Sequence, residues 1–386
     1  MLPDGSMRVG VTFLPNDRML SGVDYYTLGL IRSIAARVDQ VHLDVLTTHP
    51  DVVHQEVAPC SSVTVRPVPL LKWRMARVLW QQLALPALAS RLGLDLLHCP
   101  CYIGPVVSKI PVVLTVHDTI ALDNPEFCRL SNSLHYRLML RRSILSSAAT
   151  VAVSQATASS IARHVSIDRA RNRVHVVYPG VDDIFFHRAS DQEQVSVRQK
   201  YRLPRDYVLF VGNIEPKKNL PYLLSVYAAL RTRCPAMGLV LTGGRRWRSG
   251  HVMGRLQNGG LQGAHLLGHV ERHELPSLYQ MARAYLCLSH YEGFGFPPLE
   301  AMAGGTVVVS TEGGALKETL ANAPVWVPHV DPDQVVRRLV SVLSRPDAVE
   351  WHVETGRQRA QNYQWQRFSH EMLAVYDHVL GKRAAG

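Results

Sequence analysis

The sequence has no run of about 18 apolar residues, so no helix of it is expected to cross a bilayer. Cysteine is scarce: Cys60, Cys99, Cys101, Cys128, Cys234 and Cys287 are scattered and mostly in apolar company. That pattern excludes a disulfide framework and reads as reduced packing residues of a cytosolic protein. Met1 to Met7 lack the basic-then-apolar order of a secretory leader, and strand character begins at Arg8. No Gly-x-Gly-x-x-Gly follows the first strand-like run, which argues against a dinucleotide dehydrogenase. Zinc-finger spacing and an aromatic RNA-binding signature are also missing, so nucleic acid ranks last among partners. The chain is read as soluble and cytoplasmic.

What is present is a large core and an excess of positive charge. The 386 residues are 47% hydrophobic and 19% charged, enough for two or three domains, and the net charge is +11. Such a charge calls for an anionic partner: an acidic small ligand or an anionic membrane surface. Leu70–Trp80 mixes Lys72, Arg74 and Arg77 with Trp73, Trp80 and leucines, as an interfacial helix would. An ordinary amphipathic helix packed inward reads the same way. A second basic cluster, Arg137 with Arg141 and Arg142, equally fits a solvated helix face.

Short β-rich apolar runs recur between helix-like segments. In the first half they are Val9–Leu14, Leu43–Thr47, Leu94–Leu97, Val112–Val116, Thr150–Val153 and Val174–Val177. In the second they are Tyr207–Val211, Gly238–Leu241, His265–Leu267, Ala284–Leu288 and Thr306–Val309. Continuous apolar strands alternating with helices imply parallel sheets covered on both faces. The number of runs exceeds an eight-fold barrel and favours an α/β chain of two doubly wound domains. Polar text at Asp182–Pro204 marks the break. Many runs end in small or polar residues, such as His98-Cys99, His117-Asp118 and Gly212-Asn213, and open parallel sheets bind ligands at that edge. Two such edges facing each other would form a cleft.

The densest chemistry lies in Ser289-His-Tyr-Glu-Gly-Phe-Gly-Phe-Pro-Pro-Leu-Glu300. Glu292 and Glu300 bracket a glycine turn between a strand and a proline-opened helix. Free N–H groups there make an anion site, and the two acids accept hydrogen bonds from hydroxyls. Phosphate and polyol in one pocket point to a sugar nucleotide.

Taken together, these segments resemble the retaining nucleotide-sugar glycosyltransferases of family four, with the two-domain GT-B fold. The resemblance rests on Glu292 and Glu300 spaced by seven residues, on Leu209-Phe-Val-Gly-Asn-Ile-Glu-Pro-Lys-Lys-Asn219, and on Tyr178-Pro-Gly-Val-Asp182. Leu267-Gly-His-Val270, Glu274-Leu-Pro-Ser-Leu-Tyr279 and Val116-His-Asp118 also match. It implies an acceptor-side Rossmann-like domain over 1–185, a nucleotide-sugar domain over 186–364, and a final helix within 365–386 crossing back to the first. It implies that Lys218 neutralises the leaving diphosphate together with the helix start near Phe296–Leu299. Glu292 would contact the donor sugar and Glu300 the ribose. Gly293, Phe294, Gly295 and Phe296 would offer backbone N–H groups, Val270 would recognise the base, and Gly22 would approach the diphosphate. His117 would contact the transferred sugar, with Asp118 holding its tautomer or capping the next turn. Where many members carry an arginine after the strand glycine, this chain has Asn213, and Lys217 is the candidate replacement.

His98, Cys99, Cys101 and His117 gather at neighbouring strand ends, but Cys-Pro-Cys is not a common zinc pair. No metal and no cofactor are expected, since Lys218 and helix dipoles can do a cation's electrostatic work. The donor looks most like GDP-mannose, as in bacterial surface polysaccharide synthesis, with UDP-glucose or another hexose nucleotide open. The acceptor implied is a saccharide or lipid-linked saccharide, met by peripheral contact at the inner membrane face. Retention without a placed carboxylate nucleophile implies front-face substitution, with domain closure around the site. A sugar-nucleotide epimerase, a phosphorylase and a non-catalytic binding subunit compete. The first two lack their extra acid/base set and cofactor lysine, while Asn213 keeps the third in play.

Overall fold

The computed structural model describes residues 6–15, 19–57, 60–70, 73–128, 130–165, 173–244, 250–257, 261–328 and 331–381. Lys72 of the basic Leu70–Trp80 segment, and Arg245, Arg246 and Trp247 after Thr242, lie outside the described residues. The chain divides into two compact units. One runs to Gly180 and resumes at Gln364; the other is Val181–Tyr363. The Val181 N–H donates to the Tyr363 carbonyl at 2.9 Å, so the second unit is tied shut where the chain enters and leaves it.

Among the described residues the first unit holds seven parallel strands. They are β1 (Met7–Phe13), β2 (Val41–Thr47), β3 (Val63–Pro67), β4 (Leu96–Cys99), β5 (Val112–Val116), β6 (Ala149–Ala152) and β7 (Arg173–Val176). Their order is β3-β2-β1-β4-β5-β6-β7. The second unit holds six: β8 (Tyr207–Val211), β9 (Gly238–Thr242), β10 (Ala264–Gly268), β11 (Ala284–Cys287), β12 (Val308–Ser310) and β13 (Val325–Trp326), ordered β10-β9-β8-β11-β12-β13. Both sheets are doubly wound, as the alternation of apolar runs and helices predicts. The inner strands β5, β6, β9 and β11 are buried along their whole length, hence their continuous apolar text.

Strand order reverses between β1 and β4 in one sheet and between β8 and β11 in the other. These are the switch points where doubly wound sheets open a crevice beyond the strand ends. The loop leaving β8 carries Lys218 and the loop leaving β11 carries Glu292, so the winding of the chain makes them neighbours.

Two strands lie outside the expected apolar runs. β3 is a sheet edge, only partly buried along Val-Thr-Val-Arg and exposed at Pro67, and β13 is a two-residue edge. Edge strands have one neighbour and tolerate polar residues and proline, so they leave little apolar signal. β12 starts at Val308, later than the expected Thr306, whose hydroxyl instead donates to the Tyr279 carbonyl at 2.6 Å.

The basic, aromatic segment forms a helix over Arg74–Leu79, a π-turn over Trp80–Ala84 and a helix over Leu85–Arg91. Pro86 explains the π-turn: its ring would meet the Gln82 carbonyl in a regular helix. The Leu85 N–H accordingly donates to the Trp80 carbonyl, one residue further back than in an α-helix. Beyond the turn Leu85 and Ala89 are buried, whereas Trp73, Leu79 and Leu83 are 81%, 55% and 70% exposed.

The closing helix, Trp365–Val379, belongs to the first unit and buries Phe368, Met372, Leu373 and Tyr376. The Trp365 ring occupies the space that a Cβ would need at Gly29, on the helix Gly22–Ala35, and at Gly180.

Candidate active site

After β8 the chain makes a 3-10 turn at Pro216–Lys218, passes Asn219 at a left-handed φ of 53°, and enters the helix Leu220–Arg233. The turn is pinned to the β11 loop by the His290 N–H, which donates to the Lys217 carbonyl at 2.8 Å. Lys218 Nζ thereby reaches Glu292 Oε1 at 2.7 Å, with both side chains almost buried. The Ser289 hydroxyl donates to the same oxygen, also at 2.7 Å. Burial alone would raise the Glu292 carboxyl. The charges of Lys218 and Lys217 and the two hydrogen bonds outweigh it and hold the pKa below the ordinary value. Glu292 is therefore an anion at neutral pH. Lys217 Nζ stands 3.7 Å from Glu215.

Gly314 packs directly against this loop. It bridges Glu292 in parallel, and its φ of 65° and the Glu292 carbonyl at its Cβ position both demand glycine. The Ala315 N–H donates to that carbonyl at 2.8 Å. Gly295, at φ 97°, ends the turn and precedes the helix Phe296–Ala303. Pro297 and Pro298 have no N–H, and the Leu299 N–H is bonded to the Gly295 carbonyl at 3.3 Å. From Pro297 to Leu299 the helix's first turn therefore has no unbonded N–H to offer an anion. Phe294 points its side chain inward, 5.2 Å from the Tyr363 ring.

Glu300 lies further along the same helix and is 5% exposed. The Tyr279 hydroxyl donates to Oε2 at 3.0 Å, and Arg272 Nη2 is 3.4 Å from Oε1. Burial, with the nearby Asp182, outweighs Arg272 and Tyr279, so the Glu300 carboxyl sits above its ordinary pKa. Arg272 follows Val270, which is buried in the loop after β10. Asn213 lies just past β8 beside Gly244, whose carbonyl accepts the Ile214 N–H at 2.9 Å.

In the first unit, His117 follows β5 and is buried. Its Nε2 lies 2.7 Å from the Pro100 carbonyl, which requires the proton on that nitrogen. The Tyr26 ring meets His117 edge-on at 4.6 Å, and Tyr102 lies at 5.4 Å. Tyr26 stands one turn after Gly22, the exposed first residue of its helix. Asp118 accepts the Ile120 N–H at 3.3 Å, the turn-capping arrangement. From Tyr26 a buried chain of hydrogen bonds leads away. It links Tyr376 OH to His98 Nδ1 at 2.6 Å, His98 Nε2 to Thr115 Oγ1 at 2.8 Å, and Thr115 Oγ1 to Tyr26 OH at 3.2 Å. Burial first and the nearby His117 second depress the His98 pKa to about 3, so His98 is neutral. One Asp-x-Asp triplet occurs, Asp331-Pro332-Asp333, and it is a helix cap, with Asp331 accepting the Asp333 N–H at 3.1 Å. Among the described residues no three His, Cys, Asp or Glu side chains form a metal-binding group.

The structure joins Lys217, Lys218 and Glu292 in one system of turns, with Gly293–Phe296 leading from it to Glu300. It ties the Val270 loop to Glu300 through Arg272. Asn213 stays with the β9 loop, while Gly22 and His117 belong to the other unit. Sequence reasoning assigns no role to Ser289, Tyr279, Arg272 or Tyr26, yet each touches one of the singled-out side chains. Their signal in the sequence is position alone. Ser289 opens the Glu292 motif, Arg272 stands two residues after Val270, Tyr279 ends a matching segment, and Tyr26 is one helical turn from Gly22.

Two family models between them match most of the chain: Glycosyltransferase Family 4 over residues 20–184 and Glycosyl transferases group 1 over residues 191–359. The O-antigen chain mannosyltransferase B of Escherichia coli is 29% identical over 270 residues, covering 68% of this chain and 69% of that protein. A D-inositol 3-phosphate glycosyltransferase of Salinispora tropica is 35% identical over 237 residues, covering 56% of this chain and 48% of that protein. The sucrose-phosphate synthase of Thermosynechococcus elongatus superposes with a TM-score of 0.77 at 18% identity, over 98% of this chain and 100% of that one. With two doubly wound sheets and the Lys218–Glu292 pair at a switch point, the chain belongs to the family four glycosyltransferases and has the GT-B fold.

Proposed function

We propose that the protein transfers a hexose, mannose from GDP-mannose, to a saccharide or lipid-linked saccharide of a bacterial surface polysaccharide, with retention at the anomeric carbon. The observation that carries the reading is the buried Lys218–Glu292 pair beside the turn Gly293–Phe296. The likeness to an O-antigen chain mannosyltransferase supports the choice of sugar. In this reading the diphosphate lies between the turn amides and Lys218, with Lys217 adding the second positive charge where Asn213 replaces an arginine. Val270 offers its backbone to the base, Glu300 accepts from the ribose, and Gly22 brings backbone close to the diphosphate.

The bond from the anomeric carbon to the diphosphate breaks, and the acceptor oxygen bonds to that carbon from the same face. The acceptor's proton passes to a departing phosphate oxygen. Lys218 and the turn amides stabilise the charge that grows there, where preorganised donors contribute most. Glu292 orients the sugar and holds Lys218 in place. His117 presents its ring to the sugar from a fixed tautomer. The cationic loop does the electrostatic work that a metal would otherwise do.

The acceptor is drawn from a membrane surface in the same reading. Trp73, Leu79 and Leu83 are exposed on a segment with Arg77, and Arg137, Arg141 and Arg142 stand exposed on the helix Leu130–Ser146. Aromatic and basic side chains together suit an anionic interface. Flotation with anionic vesicles at low salt is the expected result, and failure to float would remove this part.

The reading is tested by thermal shift with GDP-mannose, UDP-glucose and a dTDP-sugar side by side, followed by turnover of the binder. GDP-mannose should give the largest stabilisation and slow hydrolysis. A larger shift with UDP-glucose would reassign the donor, and tight binding without turnover would make the chain a binding subunit.

A further inference from the structure

We propose that Arg272 and Asp182 are positioning residues that aim the Glu300 carboxylate at a ribose cis-diol and so set a preference for ribo- over deoxyribonucleoside diphosphates. The inference rests on the assignment of Glu300 to the ribose and adds what holds that carboxylate. Asp182, from the Tyr178–Asp182 motif, is the second residue of the second unit and is 8% exposed. Arg272 Nη2 and Nε both donate to its Oδ2, at 2.6 and 3.0 Å. The guanidinium also lies over the Phe185 ring at 5.0 Å, which limits its movement. The same Nη2 then stands 3.4 Å from Glu300 Oε1, a long contact beside the two short ones.

One guanidinium is thus shared unequally between two buried carboxylates, and Asp182 holds the larger share. The trio Asp182–Arg272–Glu300 sets one cation against two carboxyl groups, whereas Lys218 pairs with Glu292 and Lys217 stands near Glu215, two cations for two carboxyl groups. A phosphate belongs at the Lys217–Lys218 end, and neutral donors belong at Glu300. A carboxylate can accept about four hydrogen bonds. Tyr279 supplies a good one and Arg272 a stretched one, so Glu300 has acceptor capacity for two adjacent hydroxyls. Were Arg272 free to swing from Asp182, it would close on Glu300 and consume that capacity. Asp182 is the anchor that prevents this. Arg272 is two residues from Val270, so the loop assigned to the base also sets the ribose acceptor.

The test is calorimetric titration of the full chain with GDP and UDP and with their 2′-deoxy counterparts. Wild type should bind the better ribonucleotide about tenfold or more above its deoxy form, as expected for hydroxyls donating to a buried carboxylate. Arg272→Met and Asp182→Asn should bring that ratio close to one, and Arg272→Lys should restore part of it. A role confined to stability would lower the melting temperature and leave the ratio intact, which overturns the proposal. Asp182→Asn keeps the side-chain shape and serves if Arg272→Met does not fold. If Glu300→Gln abolishes the preference while Arg272→Met and Asp182→Asn retain it, the positioning role is overturned and the Glu300 assignment stands. If wild type shows no preference and Glu300→Gln changes nothing, the assignment itself fails.

Discussion

The two units present different chemistry at the ends of their central strands. In the second, the buried polar groups are ionic: Lys218 with Glu292, and Arg272 between Asp182 and Glu300. In the first, Asp118 apart, they are rings and hydroxyls: His117 against Tyr26, joined to the chain from Tyr376 through His98 and Thr115. Buried ion pairs are weak evidence for stability, because desolvation offsets most of their attraction. Buried neutral hydrogen bonds flanked by aromatic rings fix geometry at lower cost. At these strand ends the second unit thus gathers ion pairs, and the first gathers rings and hydroxyls.

The sharpest way to break this contrast is Lys218→Ala. It should lower turnover of the donor by about 100-fold or more, the usual cost of deleting one preorganised donor to a growing negative charge. A normal rate, measured by release of nucleoside diphosphate, would remove the second unit's claim to the leaving group. Gly314→Ala comes next. It forces a side chain onto the Glu292 carbonyl at positive φ, and strain of this kind costs about 1–3 kcal/mol. A fall of several degrees in melting temperature is expected, together with weaker nucleotide binding.

Acid should separate the units. His98 has a folded pKa of about 3 against an ordinary 6.5. Its stabilising contribution is complete above pH 6.5 and is lost as pH falls towards 3, because the unfolded chain takes up the proton first. Glu292 is also depressed, from an ordinary 4.5, so its contribution fades only below that value. Hydrogen exchange should show β4 and β5 losing protection at higher pH than β8 and β11, and His98→Gln should abolish the difference in onset. The smallest effect is Tyr376→Phe, which deletes one buried hydroxyl and should cost about 1 kcal/mol in denaturant unfolding. A much larger loss would mean that the chain from Tyr26 to Tyr376 acts as a single cooperative unit.

The central strands are legible because burial on both faces writes itself as continuous apolar text. β3 and β13 are not, since an edge strand needs only one partner and can carry Arg66 and Pro67 or shrink to two residues. The turn around Glu292 is legible because its glycines, prolines and acids are local. What the acids touch is not. Lys218 meets Glu292 across 74 residues and Arg272 meets Asp182 across 90, pairings that only the strand order brings about. The helix start near Phe296–Leu299 reads as a source of phosphate amides, yet Pro297 and Pro298 remove two donors and Leu299 is already bonded. The prolines that open the helix also silence most of its first turn.

The seat of Trp365 over Gly29 and Gly180 has a consequence for biosynthesis. The first unit receives the helix Trp365–Val379 only after the entire second unit has been translated. Until then a ribosome-bound chain exposes the apolar bed of that helix and leaves His98 without its tyrosine. Released chains truncated after Tyr363 should engage holding chaperones through this bed, whereas the intervening unit, contiguous from Val181 to Tyr363, can already be complete.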